Sequence, residues 1–170
     1  MKHRISAAAT CVVVLASLAL PGLAAAGRGD QRPGDELKGL NTLSVVVEGL
    51  GATAATCGIK EGAIEAAATK SLSDAGLKVA SSNSDEDTYL YVNVNATKVG
   101  AVCVSRYDVI LYSNTTARLP YGSATALVQV SLLREAGMAG GDPVANGEAV
   151  LKAVRQAADQ FAARIKDVNK

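Results

Sequence analysis

From Thr88 to Thr97 the chain alternates without a break. Leu90, Val92, Val94 and Ala96 take one parity, and Tyr89, Tyr91, Asn93 and Asn95 take the other. A period of two is the side-chain pitch of a β-strand, so this segment belongs in a sheet with one covered face. The cover is legible near the C-terminus. Val150, Leu151, Val154, Ala157, Ala158, Phe161, Ile165 and Val168 recur at helical spacing and form one apolar stripe. Asp142-Pro143 or Asn146 can cap the start of that helix. A second helix is expected from Ile59 to Ala75. Ile59, Ala63, Ile64, Ala67, Ala68, Leu72 and Ala75 share one side, Lys60, Glu61, Glu65 and Lys70 lie away from it, and Gly76 ends it.

Around these elements lie further strands. Leu43–Glu48 is rich in β-branched residues and stops at Gly49 and Gly51. Leu77–Ala80 is a short strand, so strand, helix and strand form a βαβ candidate. Ser81–Asp87 is a polar loop. Lys98–Ala101 reads as a turn, Val102–Ala117 as a long β stretch, Ala124–Leu133 as a strand, and Gly137–Gly141 as a loop. The expected fold is α+β: a single mostly antiparallel sheet with two helices packed on one face, in the order β-α-β-β-β-β-α.

The N-terminus has the three parts of a cleavable export signal. Lys2, His3 and Arg4 are followed by an apolar run from Ala7 to Leu20, and Ala24-Ala25-Ala26 ends it. The run is about 14 residues, short of the roughly 20 needed to span a bilayer. The expected organisation is a signal peptide over 1–26, a flexible leader over 27–38, and one domain over 39–170. Arg28-Gly29-Asp30 in the leader reads as a chance match to an adhesion tripeptide. Cleavage places the protein in the periplasm or outside the cell. It also removes Lys2 and Arg4, which takes the formal charge from +1 to −1. A near-neutral chain without a basic block gives no footprint for nucleic acid.

Cleavage removes Cys11 and leaves Cys57 and Cys103. In an oxidising compartment two cysteines suggest one bridge, with two buried thiols as the alternative. Closing a loop of about 45 residues contributes roughly 4 kcal/mol in the chain-entropy model. Hairpin parity supports the pairing. A turn of even length with pairs summing to 199 sets Leu90 opposite Val109, Val92 opposite Tyr107, Val94 opposite Ser105 and Ala96 opposite Cys103. Cys103 then lies on the apolar side, which the helix after Cys57 must cover.

The same parity collects Tyr89, Tyr91, Asn93, Asn95, Arg106, Asp108, Ile110 and Tyr112 on the opposite face, with Arg106 opposite Asn93 and Asp108 opposite Tyr91. A solvated sheet face is the plain reading. Tyr, Arg and Asn are also good contact residues, which makes Tyr89, Tyr91, Asn93, Asn95, Arg106, Asp108 and Tyr112 the candidate partner surface.

Chemistry is bounded by what the mature chain lacks. His3 is the only histidine, so a nucleophile activated by histidine is excluded, as is a His-based zinc site. Two cysteines are too few for a thiolate zinc site, and no CxxC is present. Gly49 and Gly51 lack the third glycine of a phosphate loop. Asp85-Glu86-Asp87 lacks the spacing of a calcium loop and reads as a solvated turn. Neither metal nor cofactor is expected. The sequons at Asn95 and Asn114 are incidental beside an Ala-rich signal of bacterial type.

Leu43–Glu48, the helix ending in Asp74-Ala75-Gly76-Leu77-Lys78-Val79, and Tyr89-Leu90-Tyr91-Val92-Asn93-Val94 follow one another in a familiar order. That order resembles the fold of the TolB N-terminal domain and of bacterial transport-auxiliary envelope proteins. The resemblance implies a binding or assembly module and carries over no functional residue. Many such proteins are lipid-anchored, and this chain has no lipobox. The function expected is that of an exported, non-enzymatic accessory domain with a possible protein partner in the envelope. The alternatives are a small-ligand carrier with a pocket between sheet and helices, and a carboxylate-based hydrolase.

Overall fold

The computed structural model describes residues 34–81 and 84–170. The signal segment, Arg28-Gly29-Asp30 and the leader up to residue 33 lie outside the described residues. The elements are β1 (Thr42–Val47), α1 (Ala52–Thr56), α2 (Glu61–Asp74), β2 (Lys78–Ala80), β3 (Thr88–Val99), β4 (Val102–Arg118), β5 (Thr125–Gly141) and α3 (Pro143–Val168). The five strands form one sheet in the order β2-β1-β3-β4-β5. β1 runs parallel to both neighbours over short pairings, whereas β3–β4 and β4–β5 are long antiparallel ladders. This is the α+β fold expected, with a mostly antiparallel sheet.

One core lies between the sheet and the helices. Leu43, Val45, Leu90, Val92, Val109 and Leu111 from the strands meet Ile64, Ala68 and Leu72 of α2 and Val150, Val154 and Phe161 of α3. The helix ends are set by local chemistry. The Gly76 N–H donates to Ser73 O at 2.9 Å and the Leu77 N–H to Leu72 O at 3.1 Å. With Gly76 at φ 90°, this is the double C-terminal closure that glycine favours. At the start of α3, Asp142 Oδ1 accepts from Val144 N and Ala145 N at 2.9 and 3.0 Å, and Pro143 fills the first helical position. Asp142 is therefore the cap. Asn146 is instead fully buried, its Nδ2 donating to Cys57 O at 3.0 Å and to Ser105 Oγ at 2.9 Å.

Cys57 and Cys103 are disulfide-bonded, with Cα atoms 5.7 Å apart, and neither residue is exposed. The bridge ties the end of α1 to the start of β4.

Four boundaries differ from the sequence expectation. The helix expected from Ile59 starts at Glu61 as α2, and an additional short helix, α1, precedes it, with Gly58 between them at a left-handed φ of 76°. Ile59 sits in the link, buried in the core. The hairpin turn is the pair Gly100-Ala101 with Gly100 at φ 60°. The register therefore moves by two: Leu90 faces Leu111, Val92 faces Val109, and Lys98 faces Cys103. An even shift keeps every side chain on its expected face. Gly137–Gly141 is strand, not loop, because β4 pairs with it throughout. Finally, part of the leader segment is ordered. Asp35–Leu37 form a 3-10 turn, and Leu37 is 2% exposed within the core. The Gly39 N–H donates to Asn169 Oδ1 at 2.7 Å, which ties this turn to the end of α3.

Candidate functional site

The helices leave the second face of the sheet uncovered. Tyr89, Tyr91, Asn93 and Asn95 of β3 lie beside Arg106, Asp108, Ile110 and Tyr112 of β4. The shifted register sets Arg106 opposite Asn95, Asp108 opposite Asn93, Tyr91 opposite Ile110 and Tyr89 opposite Tyr112. The expected pairs Arg106–Asn93 and Asp108–Tyr91 are corrected accordingly. All seven candidate residues share this face.

The face has three zones. The first is aromatic. The Tyr112 ring centroid lies 5.8 Å from that of Tyr89 and 5.9 Å from that of Tyr91, and both pairs are tilted. Tilted aromatic pairs at this separation are favourable beyond the area they bury. Gln129 of β5 donates to Tyr89 Oη. The Tyr91 hydroxyl and Asn93 Nδ2 both donate to Glu48 Oε2. That bond, then desolvation, then the nearby negative charge push the Tyr91 pKa up to about 12. Ile110, between Tyr91 and Arg134 in the ladder, is buried even on this open side.

The second zone is charged and self-neutralised. Arg106 Nε donates to Asp108 Oδ2 at 3.0 Å, and Arg134 Nη2 donates to Asp108 Oδ1 at 2.5 Å. The Asp108 side chain is 13% exposed, while those of Arg106 and Arg134 are 62% and 55% exposed. The Arg134 hydrogen bond, reinforced by Arg106, lowers the Asp108 pKa against the opposing effect of burial. Asp108 therefore stays a carboxylate and orients two guanidinium groups, each with donors still facing solvent. Asn95 Nδ2 extends the polar row by donating to Asn93 Oδ1.

The third zone is apolar. Val99, Val102, Val104 and Met138 gather on the open side at the β3–β4 turn, at exposures of 41 to 73%. Four exposed aliphatic side chains in one place form a patch of the kind that marks contact surfaces.

Sequence reasoning missed Glu48, Arg134, Gln129 and the apolar zone. Glu48 follows directly on β1, whose alternation through Val46 carries it to this face. Met138 lies in the segment expected to be a loop. Arg134 has no sequence signal, since its face depends on how β5 pairs.

The carrier alternative requires a pocket between sheet and helices; most of that layer is packed core, and a cleft of about 440 Å³ opens at its edge, lined by Leu37, Leu132 and Leu133 with Arg164, Asp167 and Val168 of α3. A cleft of about 390 Å³ opens between α2 and α3, lined by Ile59, Lys60, Ile64, Val144, Gly147 and Leu151. No sheet residue lines it. Among the described residues no group of three or more His, Cys, Asp or Glu side chains is placed to hold a metal. No described helix is long and apolar enough to cross a membrane.

No protein-family model matches the sequence, and no curated protein does. Among the solved structures that align with the chain are two bacterial proteins. A PelC dodecamer from Paraburkholderia phytofirmans aligns at a TM-score of 0.43 and 14% identity, over 73% of this chain and 87% of that one. A minor lipoprotein from Acinetobacter baumannii aligns at 0.31 and 11%, over 75% and 89%.

Proposed function

We propose that this chain is an exported, non-enzymatic accessory domain that binds a protein partner through its open sheet face, in the manner of TolB-like and transport-auxiliary envelope modules. One observation carries the reading. Along the uncovered face run an exposed aliphatic zone, then two guanidinium groups held by one carboxylate, then Tyr89 and Tyr91, each in ring contact with Tyr112. Apolar area with aromatic and arginine anchors is the composition of a binding patch. Side chains already fixed by Glu48 and Asp108 lose less entropy on contact. The signal-like N-terminus and the Cys57–Cys103 bridge fit a periplasmic or extracellular place of work.

The test is partner capture from an envelope extract with the wild-type chain and with Tyr91→Ala combined with Arg106→Glu. Asp108 keeps Arg134 in that variant, so it should still fold, with wild-type circular dichroism and a lowered melting temperature. The captured partner should be lost. Equal capture by a folded variant refutes the role of the face.

A further inference from the structure

The two edges of the sheet are unlike. β2 is three residues long, while β5 presents seventeen. An open edge is a row of unpaired backbone donors and acceptors, and proteins guard such rows with short strands, charges or prolines. β5 has none of these guards in its outer half, residues 125–131, which ends at a register shift in the ladder with β4. Between Arg118 and Arg134 no residue is charged, and no proline falls within Thr125–Leu133. Leu127 is 75% exposed and Val130 39% exposed.

We propose that this edge pairs with the same edge of a second copy, antiparallel and about a two-fold axis through Gln129. The occupant is argued from the pattern of the strand itself. A two-fold axis perpendicular to the sheet sets residues of like face opposite each other, so the pairing must preserve parity. Centred on Gln129, Val128 meets the partner copy's Val130 on the helix side of the sheet. On the open side Leu127 meets Ser131, and Gln129 meets itself. The only charges on β5, Arg134 and Glu135, lie beyond the register shift that follows Ser131 and outside this pairing. No like charges are opposed, and the aliphatic pair Val128 and Val130 is doubled. The two sheets become one, with both open faces on the same side. This inference is independent of what the open face binds.

The experiment is sedimentation of the exported, disulfide-bonded protein over a wide concentration range, with two variants. The wild type should reach twice the protomer mass. Val128→Lys, a change at a half-buried edge position, should stay at the protomer mass with unaltered circular dichroism. Gln129→Cys adds a single free thiol, because Cys57 and Cys103 are bonded to each other. Directly opposed strand residues have Cα atoms about 4.5–5.5 Å apart, within the roughly 4.4–6.8 Å that a disulfide needs. Mild oxidation should therefore give a covalent dimer at Gln129→Cys and none at Leu127→Cys. A wild type that stays at the protomer mass, or forms a larger ring, overturns the proposal. So does a dimer that survives Val128→Lys, or crosslinking at Leu127→Cys in place of Gln129→Cys.

Discussion

Gly147 sits inside α3, where helix propensity alone favours replacing it. Ala is better than Gly by about 0.8–1 kcal/mol in a helix interior. The packing opposes this. A Cβ at Gly147 would lie 2.4 Å from Gly58 O and 2.8 Å from Gly58 C. The obstacle is backbone, so no side chain can swing aside. Gly58 cannot yield freely either, since its own φ is 76° and a Cβ there would lie 2.0 Å from Pro143 O. To reach ordinary contact, α3 must move away by about 1 Å, and it carries Asn146 from Cys57 O and Ser105 Oγ as it goes. Overpacking of this kind costs typically 1–3 kcal/mol. Subtracting the propensity gain leaves Gly147→Ala destabilised by roughly 0–2 kcal/mol, and lost Asn146 bonds add about 1 kcal/mol each. Gly62, near the start of α2, is the control: nothing lies within 4 Å of its added Cβ. Gly62→Ala should be neutral or stabilise by up to about 1 kcal/mol. Urea unfolding of both variants against wild type is the assay. Equal stabilisation by the two substitutions would falsify the close crossing of α3 over Gly58.

Two titrations probe the open face. Asp108 has a lowered pKa in the folded state, so its stabilising effect is present above its unfolded value near 4 and fades as pH falls through the folded value. Asp108→Asn should flatten the acid limb of stability against pH, and an unchanged acid limb contradicts the Arg134–Asp108–Arg106 arrangement. Tyr91, raised to about 12, favours folding below its ordinary value near 10 and loses that effect as pH rises through the folded value. Tyrosinate absorbance should show one hydroxyl titrating late in wild type and earlier in Glu48→Gln; identical curves would remove Glu48 as the cause.

The faces of this sheet were legible because parity is robust. Moving the β3–β4 turn from four residues to Gly100-Ala101 changed every cross-strand partner and no face, so Tyr89 to Asn95 and Arg106 to Tyr112 stayed together. The same robustness put Cys103 on the buried side before its partner was known. What failed was continuity. Ile59 fits the helical stripe of α2, but Gly58 turns the chain there and makes Ile59 a core residue in a link. Met138-Ala139-Gly140-Gly141 has the composition of a loop, yet β4 supplies the hydrogen bonds and keeps it extended. Glycine there has a further reason. Tyr107 lies across Gly137, where an added Cβ would be 2.3 Å from its hydroxyl. Propensity read along the chain cannot see a ring arriving from the next strand.

The placement of Arg134 shows how much one residue can decide. In the outer half of β5, Ala126, Val128 and Val130 lie on the helix side of the sheet, opposite Ala117, Thr115 and Ser113. Continued unbroken, that alternation would send Leu132 and Arg134 to the helix side, and Leu133 to the open side. The ladder instead shifts between Leu111 and Tyr112, pairing Leu111 with Leu133 and Tyr112 with Ser131. Leu132 is the extra residue of a bulge. Beyond it the phase is reversed: Leu133 enters the core, and Arg134 comes out beside Asp108. A guanidinium turned toward the helices would face apolar packing without a carboxylate, at a cost of several kcal/mol. The bulge thus serves core and open face together, because the same slip that buries Leu133 supplies the second cation that holds Asp108 ionised.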